Sequence, residues 1–294
     1  MTDAVIYDRG YKSYEGQLLG RGAIRRAIVK DGVRRILGIR RKARRKILPW
    51  GLISVGLLMA AVFVGQLFFF GSLAGAVAEG LPSYAELFDV YSAISILFLA
   101  ITIPELLGPD RAQGVMSVYF SRPMSVADYL GGKAMAYGLM AASIYLVPQT
   151  VFHLGAAALS EGGFLNYLAS NLDVIWKVAA SALGFMLVHG GVLAVVAAYV
   201  ARTSFAAATF LGILLGGGNL AGVISEAPFA GARYAALLAF DDHARYVRDW
   251  LFDRDLGSYW PERAGFEPWV SVVAICLVAL TGGVVVYRRY RRLA

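Results

Sequence analysis

Charged residues are missing from five long intervals of this chain, and those gaps decide what it can fold into. None occurs between Lys46 and Glu79, Lys133 and Glu161, Lys177 and Arg202, Arg202 and Glu226, or Glu267 and Arg288. A helix rises about 1.5 Å per residue and a bilayer's hydrocarbon core is about 30 Å thick, so about 20 apolar residues cross it. Each interval is long enough. A sixth candidate, Val90 to Leu107, is shorter and carries Glu105 near its end. There the carboxylate falls at the interface; at the helix centre it would cost about 2.5–3.5 kcal/mol. The expected fold is all-α and polytopic, with six transmembrane helices at roughly 47–70, 90–107, 133–159, 177–201, 203–225 and 268–287.

Basic residues set the expected orientation. Residues 1–50 hold 14 of the 28 Lys and Arg. Arg111, Arg122 and Lys133 follow in the loop 108–133, then Arg202 between spans four and five, then Arg288, Arg289, Arg291 and Arg292 in the tail. Six crossings put all of these on one side, the cytoplasmic one, together with both termini. The opposite loops are acidic, with Glu79, Glu86, Asp89, Glu161, Asp173 and a run from Asp241 to Glu267. This places the chain in the cell membrane as a multi-pass protein. No cleavable signal peptide is expected, because the first 46 residues are polar and basic and the apolar stretch behind them is too long for one. The formal charge of +8 is explained by contact with anionic lipid head groups at the membrane surface, not by nucleic acid.

Two parts organise around the membrane: a cytoplasmic N-terminal segment, 1–46, and a six-helix domain, 47–294. In the first, Ile24, Ala27 and Ile28 share a helical face, as do Val33, Ile36 and Leu37. An interfacial helix, interrupted by Gly32 and Gly38, is expected over 21–46. The outer segment 226–267 holds 5 basic and 8 acidic residues. Ala235 to Trp250 reads as an amphipathic helix near the outer interface, anchored by Trp; a small folded cap is the alternative.

No phosphate-cradling Gly-rich loop, His-Glu-x-x-His or Gly-x-Ser-x-Gly occurs. The single Cys276 precludes an internal disulfide. The chain is therefore expected to have no catalytic residues, no bound metal and no ATP site of its own. Asp241, Asp242, Asp249, Asp253 and Asp255 read as a solvated helix face; a divalent-cation site of an envelope-chemistry enzyme is the alternative. Gln149, His153, His189 and Asn219 fall inside spans. They either line a polar path or hydrogen-bond between helices. Pro148 is expected to kink its span, and Gly212 and Gly216 have the spacing that lets helices approach closely.

The segment between spans two and three is bounded by Pro104, Pro109 and Pro123 and reads as a compact hairpin. It runs Gly108-Pro109-Asp110-Arg111-Ala112-Gln113-Gly114-Val115, then Ser121-Arg122-Pro123-Met124-Ser125, then Tyr129-Leu130-Gly131-Gly132-Lys133. This pattern resembles the permease subunits of type-2 ATP-binding-cassette (ABC) exporters, as does the order of interfacial helix, six spans and an outer element between spans five and six. About 25 residues carry the motif. The resemblance implies that the hairpin is a coupling helix docking on a separate ATPase subunit, with Glu105, Asp110, Arg111, Gly114, Ser121, Arg122, Pro123 and Lys133 as its contact and bracing residues. It also implies a second permease subunit, identical or related, and ATP with Mg held by the ATPase partners. A secondary transporter or channel is the competing reading; it needs ionisable groups in mid-membrane, where the histidines are the candidates.

Overall fold

The structure, a computed structural model, describes residues 20–71, 82–121, 124–200, 202–254 and 259–292. Regular structure among these residues is helical throughout. The elements are α1 (Arg21–Ile36), α2 (Arg44–Phe70), α3 (Tyr84–Thr102), α4 (Pro104–Ala112), α5 (Met116–Phe120), α6 (Val126–Leu159), α7 (Phe164–Ser170), α8 (Leu172–Tyr199), α9 (Thr203–Leu211), α10 (Gly218–Ser225), α11 (Phe240–Leu251), α12 (Trp260–Arg263) and α13 (Pro268–Arg291). A π-helical stretch, Gly212–Gly217, joins α9 to α10, and a 3-10 stretch, Ala232–Leu238, precedes α11.

Among the described residues, six helices are long and apolar enough to cross a membrane: α2, α3 continued into α4, α6, α8, α9 continued into α10, and α13. Their number is the expected one and is compatible with a multi-pass membrane protein. One end of the bundle gathers α1, the α4–α5 hairpin and the tail of α13, and is called the basic end below. The other, with the acidic connections, is the acidic end.

Span two departs most from expectation. The helix starts at Tyr84, not Val90, and runs through Pro104 to Ala112. Its start is a capping box: the Ser83 hydroxyl accepts from the Glu86 backbone N–H, and the Glu86 carboxylate accepts from the Ser83 N–H. Glu86 therefore opens the helix and does not belong to a loop. Pro104 occupies the first turn of α4, where its missing N–H costs nothing. Span three likewise begins at Val126, capped by Ser125 and Asp128, so Lys133 lies inside it. Pro148 does not interrupt α6; one turn earlier the Tyr145 carbonyl accepts the Tyr91 hydroxyl at 2.8 Å.

The helix expected over 21–46 ends at Ile36. Gly38 and Arg40 adopt positive φ and turn the chain into α2. A Cβ on Gly38 would stand 2.7 Å from the Arg45 carbonyl oxygen, so this turn needs glycine twice over. α1 packs its small-residue face onto the bundle. A Cβ on Gly32 would fall 2.6 Å from that of Ala136, and one on Gly132 would fall 2.7 Å from Ile28.

The core lies among α3, α6 and α8. Phe88 and Tyr145 both stack on Phe185, at 5.7 and 5.6 Å. α8 and α13 cross backbone to backbone: a Cβ on Gly191 would stand 2.6 Å from the Val278 carbonyl oxygen, and one on Gly282 would collide with the Gly191 carbonyl. The close approach expected at Gly212 and Gly216 is absent, since neither meets a neighbour within 4 Å. The two instead lie within the π-helical stretch, on an open face of span five.

Candidate functional site

Two buried ionic assemblies, one near each end of the bundle, contain several of the residues singled out in the sequence. At the basic end the hub is Asp110 of α4, 1% exposed. Arg35 of α1 reaches its Oδ1 at 2.6 Å, and Lys133 of α6 reaches its Oδ2 at 2.8 Å. The Tyr129 hydroxyl donates to Oδ2 at 2.9 Å. One carboxylate thus ties α1, α4 and α6 together. Burial works to lower the Arg35 pKa, but the hydrogen bond and the charge of Asp110 outweigh it and hold the guanidinium above its ordinary value. Lys133 is 4% exposed, and a buried ammonium is tolerated only with such a partner.

Two further pairs brace the same corner. Arg25 meets Asp128 at 2.6 Å, and Arg41 meets Glu105 at 2.5 Å. Glu105, Asp110 and Lys133 are therefore engaged inside the chain. Arg111 points its terminal nitrogens into the protein, where neither has a hydrogen-bond partner among the described residues. Gly114, with φ of +67°, makes the turn from α4 into α5. Ser121 is exposed and donates to the Val118 carbonyl at 2.9 Å. Arg122 and Pro123 lie outside the described residues. Among the described residues, what the hairpin shows to its surroundings overlaps the candidates only at Gly114 and Ser121, which are exposed together with Gln113, Ser117 and Val118, the last at 59%.

The second assembly runs from mid-bundle to the acidic end. His189, deep in α8, takes Tyr145 on Nδ1 at 2.7 Å and Asp241 on Nε2 at 2.9 Å. Arg245 donates from Nε to Asp241 at 2.6 Å and reaches Asp89 and Ser92 of α3. Arg248, fully buried, donates to Asp89 and Asp249 at 2.7 Å each and to the Tyr259 hydroxyl at 3.0 Å. Arg254 adds a contact to Asp89 at 3.1 Å.

The expected amphipathic helix is present over Phe240–Leu251, but its polar face turns into the bundle and not toward solvent. α11 starts beside His189 and ends beside Asp89, so its polar face is buried against α3 and α8. Asp241 and Asp249 are not a solvated face: both are buried, and both are bound by arginines. Asp253 is exposed beside Lys177, and Asp255 lies outside the described residues. No group of His, Cys, Asp and Glu able to hold a metal ion occurs among the described residues.

The four span residues separate. Gln149 donates to the Tyr84 carbonyl at 3.0 Å, and His153 pairs through Nδ1 with the Tyr84 hydroxyl at 2.7 Å. These two and His189 are buried and join helices to one another. Asn219 faces outward and donates only to the Leu215 carbonyl of its own helix. Asp89, Arg245, Arg248 and Arg35 were missed in the sequence. The local signals were the Asp31–Arg35 and Asp241–Arg245 spacings of four and the adjacent Arg248–Asp249; most of the remaining contacts join distant segments. Compared with family models, curated proteins and solved structures, the chain matches none.

Proposed function

We propose that the chain is the transmembrane permease subunit of an ABC exporter. It forms half of a translocation path with a second permease subunit and is driven by separate ATPase subunits that bind ATP and Mg. It has no catalysis of its own. It sits in the cell membrane with both termini cytoplasmic, and α1 lies at the head-group level. The observation that carries the reading is the braced hairpin. Its residues Gln113, Gly114, Ser117, Val118 and Ser121 are displayed at the basic end, while Asp110, Glu105 and Lys133 fasten it to α1 and α6. A short helix so held passes a push from a docked subunit into spans two and three without absorbing it. Glu105, Asp110 and Lys133 then brace the hairpin, and Gln113, Gly114, Ser117, Val118 and Ser121 dock. The outward amide of Asn219 and the open face of span five suit contact with the second permease subunit.

The test is a mild-detergent pull-down of the tagged chain from its native membranes, read by mass spectrometry, beside Val118→Glu. Capture of an ATP-binding-cassette subunit by the parent chain, weakened by the new charge, is expected. If no nucleotide-binding partner is captured under conditions that preserve other membrane complexes, the exporter reading fails.

One observation favours a second reading, a proton-coupled carrier: the Tyr145–His189–Asp241 chain sets an imidazole and a carboxylate together deep among the spans. Transport that needs a proton gradient, proceeds without ATP and is lost in His189→Gln would select it.

A further inference from the structure

An apolar cavity of about 310 Å³ lies among α4, α6, α8 and α13, walled by Leu107, Leu130, Tyr137, Leu187, Ala194 and Val286. This is near the lower bound of the roughly 300–1,000 Å³ of small-molecule sites. Its rim residues Ala134 and Gly283 are exposed, so it opens sideways out of the bundle, where lipid stands. Along α8 its wall extends from Met186 to Ala197, a depth of roughly 16 Å at the helical rise.

A second observation stands one helical turn beyond the cavity, toward the basic end. Leu107 lines the cavity, and Arg111 follows it on α4; Val286 lines it, and Arg289 follows on α13. Both terminal nitrogens of Arg111, and Nε of Arg289, are buried without a hydrogen-bond partner among the described residues. Arg111 comes within loose hydrogen-bonding reach of the Tyr290 hydroxyl, a neutral partner that leaves its charge uncompensated, and Arg289 covers the Tyr199 ring at 5.7 Å. The carboxylate on the same helix, Asp110, is already shared by Arg35, Lys133 and Tyr129. Buried guanidinium groups left unpaired are costly, and their fork matches two oxygens of a phosphate.

We propose that this is a binding site for an anionic phospholipid of the adjoining leaflet, with one acyl chain in the cavity and the phosphate on Arg111 and Arg289. The chain fills an apolar slot open to lipid, and the head group supplies the missing anion. The site does not depend on the exporter reading.

The test uses the full chain in detergent micelles, with binding of phosphatidylglycerol and phosphatidylcholine measured by native mass spectrometry. Phosphatidylglycerol is expected to bind about tenfold more tightly, from two basic residues at the head-group level. The double variant Arg111→Gln, Arg289→Gln removes that preference. Gly283→Phe, at a position with nothing within 4 Å of the new Cβ, obstructs the slot and lowers binding of both lipids; it decides the matter if the double variant does not fold. Equal binding of the two lipids by the parent chain overturns the proposal, as does unchanged binding in Gly283→Phe. Inorganic phosphate displacing the lipid head while Gly283→Phe has no effect would make this a simple anion site. Loss of ATPase-subunit capture in the arginine variant, with lipid preference intact, would give the two guanidiniums to a protein carboxylate. Either result also overturns the proposal.

Discussion

The two ionic assemblies differ in how their charges balance. Near the acidic end, Asp89, Asp241 and Asp249 face Arg245, Arg248 and Arg254, so carboxylates and guanidiniums match. At the basic end the one buried carboxylate, Asp110, serves both Arg35 and Lys133, helped only by the half-exposed Asp31 on Arg35, and Arg111 close by has no carboxylate among the described residues. A matched cluster closes on itself and fixes α11 to α3 and α8. An unmatched one keeps an appetite for anions from outside the chain. The contrast teaches that a buried charge network is read by its remainder, because pairing cancels most of the field and the surplus is what a ligand meets.

The sharpest way to break the comparison is Arg248→Met. It strips a fully buried cation from Asp89 and Asp249 at once. Apparent stability in micelles is expected to fall by about 3–5 kcal/mol, measured by thermal unfolding. A loss under about 1 kcal/mol would mean that water already penetrates the cluster. Asp110→Asn comes next, at about 2–3 kcal/mol; it is milder because Arg35 keeps its ion pair with Asp31. Adding Lys133→Met should recover part of that loss, and no recovery would show that Arg35, not Lys133, is the costly orphan. Gly282→Val is expected to cost about 1–3 kcal/mol by overpacking the α8–α13 crossing, in a place neither assembly touches. Unchanged unfolding there would show that the two helices part easily. The smallest effect belongs to Val118→Glu, whose exposed site predicts no measurable change in unfolding while partner capture drops. A large stability loss would move that residue from the docking surface into the brace.

The six spans were legible because nothing but a membrane explains long stretches without charge. Their ends were less so, and for one reason. Glu86, Asp89 and Lys133 look like loop residues until their partners are known, and those partners are a capping serine, arginines about 160 residues away, and Asp110. The capping boxes at Ser83 and Ser125 were readable locally and would have moved both helix starts outward. The Asp110 hub was half legible: its residues stood out, but as contacts for another protein, whereas Arg35 turns them inward. His189 was visible as a polar residue in a span, but Asp241 lies 52 residues further on. Nothing in the spacing joins them, because the chain must first leave α8, cross in α9 and α10, and turn back in the 3-10 stretch.

The crossing of α8 and α13 at Gly191 and Gly282 has a mechanical meaning. Helices normally slide past one another by letting interposed side chains change rotamer, and here backbone rests on backbone with nothing between to yield. Shear along that seam is blocked by hard contact, so the pair behaves as a stator. Motion within the bundle has to be taken up by the other spans turning about it.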